Sequence, residues 1–463
     1  MASKNENAKN ESSRLRSLRS ATNLQNYDGS QVLNDDKVSQ FLPGLYCKGL
    51  AHLDDGTLYG DPVDQYQLLV ALEAGDQNAL DQITLGGARR LVNTQAAFSR
   101  ELVGGVPMGF SIPAPPTVSS RWAAGEMCEV YEMSLCADIP FSTLNGAAAN
   151  TDADRAVTTM NAFGSDFKGP KDGGTVNRHL LFRGTAVGCQ WGPYVSQFLM
   201  HDFSLGSHPI EQKYTFDTGY YGISEADFLE LQKGNVPTPQ TKSAQPMRPY
   251  TPRGLGSLVH VDFVYQFFYY AAQIILNAGV PRHGGYTDMY PDAAFVNNGG
   301  VVVVATALAD VCKNALTGTW VQKWRQHLRL RPEEMAARVV KQKDGDISNV
   351  VHPSIYTDGS ATIAAVEALV APLSGAAKAF LPGIYAEGSP THPSYPAGHA
   401  VVAGACATIL KMIFSDENWN TMGDYATVVE STDGDTTTAY GGADTAAMTV
   451  HSELNKLASN CRL

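Results

Sequence analysis

Apolar positions along this chain recur mostly at helical spacing. In 121–137, Ala124, Met127, Cys128, Tyr131 and Leu135 fall three or four apart, which marks one face of an amphipathic helix, and Asp138 and Pro140 end it. The same periodicity predicts helices over 64–74 and 80–101. The stretch 256–278 is apolar almost throughout and predicts one long, deeply buried helix. The stretch 301–316 begins with β-branched residues, but its length favours helix over strand. Further helices are predicted over 320–330, stopped by Pro332, over 362–371, stopped by Pro372, and over 398–414 and 446–460.

The segments between them are less regular. Residues 143–180 are rich in Gly, Asn, Asp and Thr and read as a long surface excursion. A helix is expected near 192–200, then an irregular connection over 204–254 with a short hairpin around 214–221, and a polar loop over 416–444. The total is about ten helices with little strand. The expected fold is mainly α: helical bundles joined by long loops. Residues 1–20 form a polar arm, expected to be disordered, and 21–463 one large helical domain of two packed bundles.

Composition narrows the function. The chain has 463 residues, of which 44% are hydrophobic, a globular value that leaves room for a large core. Its net charge of −12, from 34 basic and 46 acidic residues, excludes a general nucleic-acid binder. No dinucleotide fingerprint or phosphate-binding P-loop occurs. The longest apolar runs, such as 301–308, have core length, so no transmembrane helix is expected. The arm lacks the apolar stretch of a secretory signal, which favours a cytoplasmic location and otherwise leaves the compartment open. Seven cysteines, an odd number with no CxxC pair and several in apolar runs, read as buried free thiols.

Two segments carry chemistry. The first runs from Lys323 to Pro332 and is cationic within an acidic protein, with Lys323, Arg325, Arg329 and Arg331. Pro332 disfavours helix at Arg331, so the guanidinium leaves from the helix end. If the segment is α-helical, Lys323 lies about two turns back and displaced by roughly 80°, so that an ammonium and a guanidinium fork converge on one oxyanion. Alone, the segment reads equally as a solvated basic face. The second runs from His392 through Pro396, Ala397, Gly398 and His399 into an apolar helix. The first amides of that helix lack internal partners and sit at the positive end of its dipole, which makes a ready oxyanion site. His399, in the first turn, is placed to exchange protons with a bound anion. Capping or packing would be its bland role, and a polar loop position that of His392.

Together these segments resemble the vanadium-dependent haloperoxidases, especially the bromoperoxidases of algae and cyanobacteria. Lys323 with Arg331-Pro332 matches that family's first motif, and Pro396-Ala397-Gly398-His399 its second. The likeness extends to EMCEVYEMSLCADIPFS, GPYVSQFL, HPSYPAGHA and MTVHSELNKLASN, from about residue 30 onward. The resemblance implies a vanadate cofactor, with bromide, hydrogen peroxide and a small organic molecule as substrates, and a homo-oligomer. Lys323 would bind an equatorial vanadate oxygen and polarise bound peroxide. Arg331 would bind equatorial oxygens, the Gly398 amide would donate to the oxyanion, and His399 would be the acid–base residue. His392 would be the extra active-site histidine of bromide-preferring members.

The match is incomplete. Ala397 stands where the family has Ser, removing one hydroxyl donor. The family's third motif places an Arg and then a metal-bonding His after the text that here reads Glu453–Asn460, and this sequence ends at Leu463 without that His. The expectation is therefore a C-terminally incomplete domain with no axial metal ligand. Arg462 lies close to the expected Arg, and His451 is the nearest histidine, more simply read as an exposed residue of the last helix. Two alternatives follow: an acid-phosphatase-like phosphomonoester hydrolase with a similar anion pocket, or an inactive oxyanion-binding or assembly subunit. In the loop at 343–349, Asp344 and Asp346 make calcium a candidate second ligand, against a plain solvated turn.

Overall fold

The structure, a computed structural model, describes residues 44–52, 62–98, 111–146, 148–285 and 300–462. The expected arm at 1–20 lies outside them. Among the described residues nine α-helices exceed ten residues: α1 Pro62–Ala74, α2 Arg121–Leu135, α3 Thr151–Ala162, α4 Gln266–Asn277, α5 Val301–Val321, α6 Pro332–Asp344, α7 Ser360–Ser374, α8 Gly398–Ile413 and α9 Val450–Asn460. The strands form three short antiparallel pairs: β1 Phe203–Leu205 with β2 His208–Ile210, β3 Asp217–Thr218 with β4 Thr241–Lys242, and β5 Val428–Glu430 with β6 Thr437–Ala439. The fold is mainly α, as the periodicity predicts.

Helix α5 lies along α8, which in turn packs on α9, and α4 touches all three. Helix α2 packs against α3, α6 and α7. A single apolar core runs through both groups, from Tyr131 and Val366 on one side to Leu308, Val402 and Leu454 on the other. Each such aliphatic side chain removed from water contributes roughly 1.5–3 kcal/mol. A smaller core joins Leu68 and Leu72 of α1 to Tyr46, Trp324 and Leu328, clamping the segment that carries Lys323. All seven cysteines are buried and free. The continuous helical stretch Val301–His327 has the length and composition to cross a membrane; here it packs on α8 and ends in the interior at Lys323.

Several expectations are corrected. The helix predicted at 80–101 is a short helix Gln77–Asp81 followed by loop and one 3-10 turn Thr94–Ala97. Leu85 pairs with Leu50, and a Cβ at Gly86 would come within 2.4 Å of the Leu50 carbonyl oxygen, so the backbones run too close for a helix there. The expected excursion at 143–180 contains α3, whose cap, Asn150, accepts from the Ala153 amide and whose Ala153, Ala156 and Met160 are buried. The helix expected at 192–200 shrinks to the turn Gln197–Leu199, because Gly192 has φ 66° and lies against Met448. The hairpin expected at 214–221 does not form: β3 pairs with β4, and a helix, Glu225–Lys233, capped by Ser224, lies between them. Helix α7 runs through Pro372 to Ser374, since a proline in its last turn leaves few bonds to break, and Gly375, φ 78°, ends it. The polar loop at 416–444 contains the β5–β6 pair.

The correction that matters most is at 256–278. The single predicted helix is two, Pro252–Leu258 and α4, with a non-helical link between them. Two side chains of that link, His260 and Asp262, are drawn inward to charged partners. On a helix, residues two apart point about 200° away from each other, so a continuous helix would forbid it.

Candidate active site

Lys323 sits in a turn that the sequence does not announce. Helix α5 passes directly into a π-helical segment, Gln322–His327, closed by the Leu328 amide donating to the Lys323 carbonyl at 2.9 Å. Leu328 then adopts φ 45° and stops the helix. The α-helical geometry expected over 320–330, with Lys323 and Arg331 about 80° apart on one helix, is therefore wrong. Arg331 lies beyond the break, extended at φ −84°, ψ 157°, and opens α6, as its position before Pro332 demands. A π-bulge widens a helix by one residue and is common where a helix must aim a functional side chain.

The second segment meets the first directly. The fully buried Lys323 ammonium donates to the carbonyls of Pro393 at 2.7 Å and Ser394 at 3.2 Å. The Ser394 amide donates to the Arg329 carbonyl at 3.0 Å, and its hydroxyl to the Leu330 carbonyl at 2.5 Å. These bonds lock 392–394 against 328–331. Ala397 is the N-cap of α8 but offers no side-chain oxygen, so no side chain caps this end of the helix. Gly398 begins α8 beneath the Trp320 ring, 3.4 Å from where a Cβ would stand. The His392 ring lies 4.9 Å from Trp320 and 3.0 Å from the Pro393 carbonyl, and the Lys323 ammonium lies 5.6 Å over Trp320.

The structure thus brings Lys323, Arg331, His392, Ala397, Gly398 and His399 to one end of α8. Trp320 and Asp262 join them without having been anticipated. Asp262, its side chain only 6% exposed, holds its two oxygens 3.0 and 3.1 Å from His399 Nε2, while His399 itself is 34% exposed and opens to solvent. The missed signal was polar: His260 and Asp262 interrupt an otherwise apolar run, and buried charged groups need partners.

The electrostatics describe a cluster short of negative charge. Burial, followed by the nearby Arg331 charge, holds the Lys323 ammonium well below the ordinary lysine range. Burial pushes His392 down to about 2, with Lys323 and Arg331 adding to the effect, so its ring is neutral. The Arg331 Nε is buried without a hydrogen-bond partner among the described residues. An orphaned guanidinium donor, an ammonium held only by carbonyls and an uncapped helix N-terminus are what a tetrahedral or trigonal oxyanion would satisfy. Vanadate fits this donor set on charge and on hydrogen bonding.

Other candidates fall elsewhere. His451 is not at this site. Its Nε2 bonds the Phe414 carbonyl at 2.9 Å, at the far end of α8, about 22 Å along the axis from His399. Arg462 donates to the Arg183 carbonyl at 2.9 Å. Calcium finds no support at 343–349: Asp344 pairs with Lys378 at 3.0 Å and Asp346 with Lys341 at 3.1 Å, so ammonium groups already neutralise both carboxylates. Among the described residues no cluster of three or more His, Cys, Asp or Glu is spaced to hold a metal ion.

Comparison with known proteins bears on the same region. No family model matches the chain. A vanadium-dependent bromoperoxidase from Ascophyllum nodosum is 30% identical over 335 residues, 66% of this chain and 57% of that protein. One from Corallina pilulifera is 27% identical over 355 residues, 62% of this chain and 59% of that protein. The matches thus take in under three fifths of the length of these relatives. A solved homohexameric structure of the second vanadate-dependent bromoperoxidase of Ascophyllum nodosum superposes with a TM-score of 0.86 and 25% identity, covering 98% of this chain and 79% of that one.

Proposed function

The chain is related in sequence and in fold to the vanadium-dependent bromoperoxidases, and from that premise we propose that it oxidises bromide with hydrogen peroxide at a vanadate held at the N-terminus of α8. The observation that carries this reading is the convergence of Lys323, Arg331, His392 and His399 on that helix end with cationic groups buried and short of an anion. Vanadate, when bound, supplies a Lewis acid that makes peroxide oxygen electrophilic toward halide.

The chain's own residues do the rest. Lys323 and Arg331 bind the oxyanion through charge-assisted donors, and the first amides of α8 add to them. His399 holds the proton that the reaction consumes, and Asp262 orients its ring. Bromide gives up two electrons, the peroxide O–O bond breaks, and the proton leaves in water; the product is at the level of hypobromous acid. An apolar cavity of about 220 Å³, with Tyr221, Phe228, Ile384 and Tyr385 on its walls and Arg331 at its edge, suits a small organic acceptor. Homo-oligomerisation belongs to the same reading, since the solved neighbour is a homohexamer.

The deciding experiment titrates vanadate into the metal-free protein and follows bromination of an organic acceptor with bromide and peroxide. Saturable, vanadate-dependent turnover supports the reading. Anion binding without turnover at any vanadate level replaces it with an oxyanion-binding protein, and phosphatase turnover with the hydrolase alternative.

A further inference from the structure

Between the helix Pro252–Leu258 and α4 the usual pattern of burial is reversed. Val261 is 86% exposed and Phe263 60%, while the side chains of His260 and Asp262 are 10% and 6% exposed. Apolar side chains face out and ionisable ones face in, so apolar burial cannot hold this segment in place. Its anchor is ionic. His260 Nδ1 lies 2.7 Å from Asp217 and Nε2 2.6 Å from Glu387, with the Tyr385 ring stacked on the imidazole at 4.0 Å and 15°.

Each partner of His260 is itself fixed. Asp217, on β3, is fully buried, receives Lys242 of β4 at 2.8 Å, and its amide donates to the Ser257 hydroxyl at 2.8 Å. Tyr385 donates to the Gly256 carbonyl at 2.6 Å. The Glu387 carbonyl accepts from Arg89 at 2.9 Å and Lys48 at 3.2 Å. Two residues on, the Ser389 amide and hydroxyl donate to Glu333, which also pairs with Lys48 at 3.0 Å. Glu333 stands two residues after Arg331. An unbroken set of ionic contacts therefore runs from His399 through Asp262, His260 and Glu387 to the helix that Arg331 opens.

We infer that His260 is a positioning residue: bridging Asp217 and Glu387, it braces the segment whose Asp262 orients His399, and ties it to the Arg331 side of the anion site. The inference rests on reading His399 as the acid–base residue. The groups facing His260 are Asp217 with Lys242, Glu387 within the field of Arg89, and Tyr385. The two carboxylates keep the ring in its cationic, doubly donating form, which lets one side chain hold both.

The test uses the full-length, metal-free protein and needs no turnover. A ring N–H shared with a carboxylate gives a far-downfield proton signal, and the one lost in H399Q belongs to the His399–Asp262 pair. In H260Q that signal is expected to vanish, and inorganic phosphate to bind about tenfold more weakly, the worth of one charge-assisted bond. E387Q keeps the Asp217 contact and should weaken the signal in part; it stands in for H260Q if that variant does not fold. If both variants melt at lower temperature but keep the signal and the phosphate affinity of the parent, His260 is merely structural and the inference is wrong. Bromide oxidation enters neither readout, so a chain inactive in bromination leaves this result readable.

Discussion

Asp262 Oδ1 lies 3.0 Å from His399 Nε2, and these two residues come from segments 137 positions apart that the break before α4 brings together. A buried carboxylate on one ring nitrogen fixes both the tautomer and the direction of the imidazole. Asp262→Asn keeps the shape and removes the charge. Steady-state bromide oxidation should fall about 10–100-fold in kcat, the range found when partners of metal-site groups are lost, with the far-ultraviolet circular dichroism unchanged. Full activity in D262N would remove His399 from the role assigned to it.

Lys323 offers a test in which affinity and stability move in opposite directions. Its ammonium is buried at a cost, and the neighbouring Arg331 adds to that cost. Lys323→Met has similar length and no charge. Vanadate binding, measured by calorimetry on the metal-free protein, should weaken by about 1.5–3 kcal/mol, while the melting temperature without anion should hold or rise. Falling stability with unchanged affinity would show that the lysine serves packing alone.

Ala397 occupies the exposed N-cap of α8 and leaves that helix end without a side-chain acceptor or donor. Ala397→Ser adds one hydroxyl there. Vanadate affinity is expected to rise by about tenfold or more, the value of one hydrogen bond to a charged group, with little change in halide dependence. Equal affinities in the two proteins would place the anion away from this cap.

His260 sets an alkaline limit on stability. Hydrogen bonds to Asp217 and then Glu387 raise it from 6.5 to about 9. A raised value in the folded state gives stability that is fully present below about pH 6.5 and is lost as pH climbs through about 9. Thermal melts should therefore decline between about pH 8 and pH 10, and that decline should flatten in H260Q. A parallel fall in both proteins would assign the limit to other groups.

Much of this was legible in the sequence because it rested on periodicity or on close spacing. Helix α2 reads off its apolar face and its end at Asp138, and α8 off the Pro-Ala-Gly run before it. Lys323, Arg331, Gly398 and His399 stand in two short segments whose residue types announce an anion. What stayed hidden needed tertiary partners. The link between the helix Pro252–Leu258 and α4 looks helical until His260 and Asp262 find carboxylate and imidazole partners far away in sequence. Helix α3 was concealed by polar composition, although Asn150 before Asp152 and Asp154 marked its start. The π turn leaves no pattern at all, since apolar spacing reports a face of the helix and says nothing about its winding.

That wide turn at Gln322–His327 also sets a length. A π turn contains one residue more than an α turn over nearly the same rise. Removing any single residue between Lys323 and Arg331 would let the turn relax to ordinary winding and roll the lysine away by about 100°. The pocket would then lose its ammonium although every binding residue was still encoded. Deletions in this stretch should be less tolerated than most substitutions, and the interval from Lys323 to Arg331 works as a spacer whose residue count belongs to the site.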